Sequence, residues 1–217
     1  MRIVVTAGPT RERIDEVRYV GNLSSGRMGF AIASAARERG HSVTLVSGPT
    51  ELPPPRGVRL VRVESAREML AALREPFRAA DALVMAAAVA DYRPRRKRPG
   101  KLKKEAEVLR LDLVRNPDIL SSLARRKGRR IVMGFALEMG GHEGRGRGKL
   151  EKKGLDYVVV NDPSTLSSSH IHAVILSREG ERRDLGRKTK QRAAAEIVRI
   201  LESDHGRRTG RRSIHGR

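Results

Sequence analysis

Apolar residues gather in short bursts along the chain, at residues 3–5, 43–46, 58–63, 83–85, 131–133, 157–160 and 174–176, with valine and isoleucine recurring in them. Bursts of this length, bounded by Gly, Pro and charged residues, predict β-strands, most of them covered on both faces. Between most of them the apolar spacing becomes helical. Met28, Ile32, Ala35 and Ala36 stand at i, i+4, i+7 and i+8, and Gly40 follows as a stop. Ser65 and Glu68 form a capping box ahead of Met69, Leu70 and Leu73. Asn116-Pro117-Asp118 offers a capping side chain, a proline suited to the first helical turn and an acid near the positive dipole end. A last helix is predicted from about residue 189 to 201. Strands alternating with helices predict an α/β protein of three layers, a Rossmann-like, doubly wound and mostly parallel sheet joined by right-handed crossovers.

Two stretches break the rhythm. Residues 93–104 carry six Lys or Arg between their ends and two prolines, and residues 140–148 carry five glycines. Both are expected to be mobile surface loops. Residues 204–217 hold five Arg, one Asp and almost nothing apolar, so a basic disordered tail is expected after a domain spanning 1–203.

Composition narrows the partners. Lys and Arg number 46 against 25 Asp and Glu, a formal +21, which favours anionic ligands without choosing among nucleotides, nucleic acid and acidic lipid. Three Tyr, three Phe and no Trp leave little with which to stack single-stranded bases. The absence of Cys excludes disulfides, thiolate metal sites and a cysteine nucleophile within these 217 residues, and suits a reducing, cytoplasmic setting. No apolar run approaches 18 residues and Ile3-Val4-Val5 opens the chain without a signal sequence, so a soluble protein with no membrane partner is expected.

In open parallel sheets ligands bind beyond the carboxyl ends of the strands. Gly8-Pro9-Thr10 follows the first burst, and Asn22-Leu23-Ser24-Ser25-Gly26-Arg27-Met28-Gly29 introduces the first helix. These residues suit a phosphate at a helix start, near Arg18, or equally close packing of helix on sheet through Gly26 and Gly29. Ala86-Ala87-Ala88-Val89-Ala90-Asp91 follows the fourth burst; its small side chains leave a flat surface for a base or ribose, and Asp91 either binds a hydroxyl or metal or caps a turn. Lys101-Leu102-Lys103-Lys104 could neutralise a leaving pyrophosphate or simply be solvated, and Lys149 and Lys153, at i, i+4, share a helix face that could hold a triphosphate or face water. A P-loop is excluded, because Gly148-Lys149 is followed by Leu150 and Glu143 stands where the first glycine belongs. His170 and His172, two apart, lack metalloprotease spacing.

Taken in order, Ala7-Gly8-Pro9-Thr10-Arg11-Glu12, Asp15, Val17-Arg18-Tyr19, Asn22 to Gly29, residues 86–93, Lys101-Leu102-Lys103-Lys104, Asn116 to Leu120, Gly134-Phe135-Ala136, Glu138, Lys149, Lys153, Asp156 and Asn161-Asp162 resemble the bacterial phosphopantothenoylcysteine synthetase family over about residues 3–203. Arg13 stands where that pattern has Pro, and Met139 where it has Thr. The resemblance implies a ligase of coenzyme A biosynthesis that joins 4′-phosphopantothenate to cysteine through an acyl-cytidylate, consuming CTP and releasing CMP and pyrophosphate. It implies catalytic roles for Asn22, Arg18, Lys101 and Lys104. It implies a nucleotide site at Met85, Ala86, Ala87, Asp91, Lys101, Pro117, Asp118, Ile119, Leu120, Phe135, Lys149 and Lys153, and a phosphopantothenate site at Gly8, Asn22, Ser24, Ser25 and Gly26. Mg²⁺ is the implied metal, with no flavin in this chain. A homodimer is implied, with segments near 173–176 and 182–185 extending the sheet, and so is a phosphopantothenoylcysteine decarboxylase, either separate or fused where this sequence is a fragment.

Two other functions compete. A nucleic-acid-binding protein would account for the +21 and the Arg-rich tail but for none of the ordered motifs. An NAD(P)-dependent reductase of the short-chain type shares the first strand–helix turn, yet Leu23, Arg96 and Asn161 stand where its lysine would follow each Tyr, and Val46-Ser47 lacks an acid for the ribose.

Overall fold

The computed structural model describes residues 1–103, 107–138, 143–163 and 168–210. In chain order the strands are β1 (Arg2–Ala7), β2 (Arg11–Arg13), β3 (Tyr19–Gly21), β4 (Ser42–Ser47), β5 (Arg59–Arg62), β6 (Ala82–Met85), β7 (Tyr92–Pro94), β8 (Leu113–Arg115), β9 (Ile131–Leu137), β10 (Tyr157–Asn161), β11 (His170–Ser177) and β12 (Arg182–Thr189). The helices are α1 (Arg27–Glu38), α2 (Ala66–Ala79), α3 (Ile119–Ala124), α4 (Glu143–Lys153) and α5 (Lys190–Thr209). Eight strands form one sheet in the order β12-β11-β10-β9-β6-β1-β4-β5. From β10 to β5 every pairing is parallel, while β11 and β12 add an antiparallel hairpin at one edge. The Rossmann-like α/β architecture is as the strand–helix alternation predicts.

The pleat sends alternate residues to opposite faces. Val5 of β1 joins Phe30, Ile32, Ile197 and Leu201 of α1 and α5 in one core. Val4 joins Met69, Leu73, Leu123 and Leu150 of α2, α3 and α4 in the other. Each of these buried apolar side chains contributes about 1.5–3 kcal/mol relative to exposure. Local signals set where the helices begin. The Ser65 hydroxyl accepts from the Glu68 amide at 3.2 Å, and the Glu68 carboxylate accepts from the Glu64 amide at 2.8 Å, closing a capping box one residue wider than the usual one.

Four sequence expectations are corrected. The cap of α3 is Asp118, whose carboxylate accepts from the Ser121 amide at 3.0 Å, so Asn116 and Pro117 lie ahead of the helix. Residues 143–148, expected in a loop, form the first turns of α4. Helix packing outweighs the cost of the glycines there, because Gly146 lies against Val160 and Glu143 forms a forked ion pair with Arg182. The described part of 93–104 is tied down rather than loose: the Arg95 amide donates to the Asp112 carbonyl at 2.8 Å and the Arg98 amide to the Ile14 carbonyl at 2.8 Å. Lastly, α5 runs on to Thr209, through the expected start of the tail, because Asp204 is buried and holds Arg208 at 2.9 Å. The rest of the expected tail, residues 211–217, lies outside the described residues.

Candidate functional site

The direction of winding reverses between β1 and β6, the position at which an open sheet leaves a crevice. Here the two strand ends are laced together. The Ala88 amide donates to the Gly8 carbonyl at 2.9 Å and the Thr10 amide to the Ala88 carbonyl at 3.2 Å. Buried Thr6 and Thr10 complete the seam, their hydroxyls accepting from the amides of Ala87 at 3.1 Å and Ala90 at 2.9 Å. The alanines keep this seam flat and leave a binding region on each side of it.

On one side is the start of α1. Gly26, with φ +74°, stands at the N-cap and brings no side-chain bond to the first turn. Gly8, at φ +73°, and Gly26 both abut Thr50, where a β-carbon would sit 2.8 and 2.6 Å from its methyl group. Gly29 lets the helix lie on β1, since a β-carbon there would meet the Thr6 carbonyl and the Ala7 side chain at 2.6 Å. Ser24 turns back, its hydroxyl accepting from the Gly26 amide at 3.3 Å, and half-buried Ser25 stands beside it. Packing therefore explains Gly29, while Gly8, Ser24, Ser25 and Gly26 border a helix start of the kind that favours anions.

On the other side, beyond β6 and β9, lies a cleft of about 440 Å³. Met85, Ala87, Asp91, Pro117, Asp118, Ile119, Leu120, Phe135, Lys149 and Lys153, all expected at a nucleotide site, line it. The remaining two do not: Ala86 points to the core on the α1 side, and Lys101 lies away from the cleft lining. Gly146 allows α4 to approach β10 closely enough for Lys149 to donate to the Phe135 carbonyl at 2.5 Å. One turn on, Lys153 meets Asp118 at 3.2 Å. Burial, reinforced by the neighbouring Lys153 charge, lowers the Lys149 pKa. Burial opposes ionisation of Asp118, but bonds from Ser121 and the charge of Lys153 hold its pKa below the ordinary carboxylate value. Asp91 accepts no hydrogen bond on its carboxylate from a described residue. Among the described residues no three His, Asp or Glu side chains form a metal cage. A hard divalent cation would fit here through Asp91 together with a ligand's phosphates.

Sequence reasoning missed the ribbon that carries the rim. β7 and β8 pair antiparallel, and Tyr92, Arg115 and Asn116 at their foot line the cleft. Asn116 donates to the Ala90 carbonyl at 2.8 Å and accepts from Arg93 at 3.2 Å, so its amide buttresses the alanine seam. Three-residue strands are too short to carry a hydrophobic period, which is why the sequence offered only a loop at 93–104 and a helix start at Asn116. Residues 95–103 run from this ribbon to the β2–β3 hairpin, where the Arg18 guanidinium donates to the carbonyl of Leu102, the neighbour of Lys101, at 2.6 Å. Asn22, just after β3, donates from its side chain to the Val89 carbonyl at 2.9 Å. Val89 is part of the cleft wall, so Asn22 links the α1 side to the cleft. Lys104 and Met139 lie outside the described residues. At the end of β4, buried Ser47 donates to the Gly48 carbonyl at 2.8 Å, which leaves no acid at the position a dinucleotide ribose would need.

Residues 1–204 match the family model described as the DNA/pantothenate metabolism flavoprotein C-terminal domain. The chain is 47% identical over 168 residues to the coenzyme A biosynthesis bifunctional protein CoaBC of Escherichia coli K12, covering 76% of this chain and 41% of that protein. It is 37% identical over 216 residues to the Bacillus subtilis protein of the same name, covering 97% and 53% respectively. The chain thus spans about half the length of the curated relatives it matches, or less. Among solved structures, the crystal structure of the C-terminal domain of a CoaBC protein is 39% identical and superposes with a TM-score of 0.81, covering 93% of each chain.

Proposed function

Because this chain belongs to the family of DNA/pantothenate metabolism flavoprotein C-terminal domains, we propose that it is a phosphopantothenate–cysteine ligase of coenzyme A biosynthesis. The observation that carries this is the pairing, across one alanine seam, of a helix start suited to a phosphate and a cleft whose wall holds two lysines over a base-sized floor. One region would receive 4′-phosphopantothenate, its phosphate against Gly8, Ser24, Ser25 and Gly26. The other would receive the nucleotide, its ribose near Asp91, its base against Ala87 and Phe135, and its phosphates toward Lys149 and Lys153. The choice of CTP is taken from the resemblance of the motifs.

No nucleophilic side chain is required. The substrate carboxylate attacks the α-phosphorus and displaces pyrophosphate; the amine of cysteine then attacks the acyl carbon and releases the nucleoside monophosphate. The protein supplies position and positive charge. Asn22, at the join between the two regions, would orient the carboxylate, while Lys101 and Arg18 would balance charge as it moves between oxygens. Asp91 would hold Mg²⁺, which when bound would supply positive charge for pyrophosphate departure.

A homodimer is part of the proposal, with its surface placed on the hairpins. The outer strand β12 carries Arg182, Arg183, Asp184 and Arg187, a charged edge that resists pairing. Exposed Val17, Tyr19, Leu23, Tyr92 and Leu113 instead lie on and beside the two hairpins, where β7 packs against β2 and β3. The resemblance of the motifs, together with the greater length of relatives named as bifunctional, supports a phosphopantothenoylcysteine decarboxylase as the proposed functional partner.

Pyrophosphate release by the purified protein with 4′-phosphopantothenate, cysteine and Mg²⁺ tests the activity. Release with CTP but not ATP, dependent on phosphopantothenate, is expected; release with neither nucleotide from folded protein would refute the ligase.

A further inference from the structure

The β2–β3 turn and the excursion between β7 and β8 are joined by one carboxylate that the proposed chemistry does not use. Asp15 is fully buried and both of its oxygens are engaged. One accepts from the amides of Val17 at 2.8 Å and Arg18 at 2.7 Å. The other accepts from the Leu102 amide, 87 residues away in sequence, at 3.1 Å, and lies 3.3 Å from the Arg18 guanidinium nitrogen Nε. Arg18 closes the ring by donating to the Leu102 carbonyl at 2.6 Å. Around this ring the Glu16 amide donates to the Gly100 carbonyl at 3.3 Å and Lys97 pairs with Glu16 at 2.8 Å.

We propose that Asp15 is a positioning residue whose carboxylate locks Arg18 and the Lys101-bearing segment to each other, so that the two cations meet the substrates as one preformed unit. A charged group with four hydrogen-bonded or ion-paired contacts is directional in a way that exposed Lys–Glu pairs are not. It also restrains a lysine-rich segment that self-repulsion would otherwise extend away from the protein. Burial disfavours the Asp15 charge, but the three amides and Arg18 outweigh it and bring its pKa down to about 2, so the lock is charged throughout the neutral range. The catalytic meaning of the lock rests on the ligase proposal; the lock itself does not.

The test uses two readouts on Asp15→Asn in the full chain. Asparagine keeps one acceptor but turns an N–H toward the Leu102 amide and Arg18, so the segment is released. Tryptic cleavage after Lys101 and Lys103, followed by mass spectrometry under native conditions, is expected to accelerate about tenfold. In pyrophosphate-release assays the KM for the nucleotide and for phosphopantothenate is expected to rise about tenfold, with a smaller change in kcat. Leu102→Pro removes the amide donor and also blocks cleavage after Lys101, because trypsin does not cut a Lys–Pro bond; it is expected to reproduce the faster cleavage after Lys103 and the higher KM if Asp15→Asn folds poorly. Unchanged cleavage after Lys103 in a folded Asp15→Asn or Leu102→Pro variant overturns the lock, as does faster cleavage with wild-type KM values. Faster cleavage in a protein whose wild-type form makes no pyrophosphate would leave the lock standing and remove the ligase.

Discussion

Asn22 illustrates how much of the site rests on single polar atoms. Its side-chain amide donates to the Val89 carbonyl at 2.9 Å from an exposed position, so the residue is free of the core yet fixed in direction. Asn22→Asp puts two acceptors against that carbonyl and a negative charge where a substrate carboxylate is proposed to sit. A loss of about 100-fold in kcat is expected, with a melting temperature close to wild type because no buried contact is lost. Lys101→Gln, at an exposed residue beside the Asp15–Arg18 ring, is expected to slow pyrophosphate release to a similar degree and equally without unfolding. Wild-type turnover in either variant would remove that residue from the mechanism.

At the level of the element, α4 sets the reach of the cleft lysines. Its glycines are not equivalent. A β-carbon at Gly146 would come within 2.4 Å of the Val160 side chain, whereas at Gly144 and Gly148 it would meet open space. Gly144→Ala and Gly148→Ala should therefore each stabilise the fold by about 0.5–1 kcal/mol through helix propensity. Gly146→Ala should lift α4 from β10, cost roughly 1–3 kcal/mol and weaken nucleotide binding by withdrawing Lys149 from the Phe135 carbonyl. Urea unfolding and nucleotide titration of the three variants check this; three equal effects would mean that helix propensity alone sets the response.

Across the whole molecule, the end of the chain is part of the fold. Buried Asp156 accepts from Lys127 at 2.7 Å, from the Val132 amide at 2.8 Å and from Arg208 at 2.9 Å, so it joins β9, the segment after α3 and the last turns of α5. Burial opposes its charge, yet these donors depress its pKa. A depressed carboxylate stabilises the folded state fully above its unfolded value of about 3.9 and loses that contribution as the pH falls toward its folded value. A chain ending at Ser203 lacks Arg208 and leaves Asp156 less compensated. It is expected to lose roughly 3 kcal/mol, a drop of about 6–12 °C in melting temperature, and to begin its acid decline at a higher pH than a chain ending at Gly210. Melting curves of the two between pH 3 and 7 decide the matter, and coincident curves would show the last helical turns to be dispensable.

What the sequence determined by itself was the order of the central strands and helices and the segments placed at the strand ends. Those follow from local rules: a two-residue period buried on both faces, helical spacing, and small or polar residues where backbone must approach a ligand. Asp91, just past a strand, and Lys149 and Lys153, on one face of a helix, were legible for this reason, whereas Met85 and the Pro117 to Leu120 segment entered through the resemblance of the motifs. Only tertiary structure decided the rest. The ribbon at Tyr92 and Arg115, the glycine turns of α4 and the final turns of α5 depend on partners 23, 39 and 52 residues away, whose contacts outweigh weak or adverse local propensity. Asp15 is the clearest case: as a lone acid in a polar stretch it has no local signature, and its role arises because the fold brings Leu102 within 3.1 Å of it. A pattern along the chain reports which side of an element faces the core, whereas a buried charge is defined by whatever donors the fold carries to it.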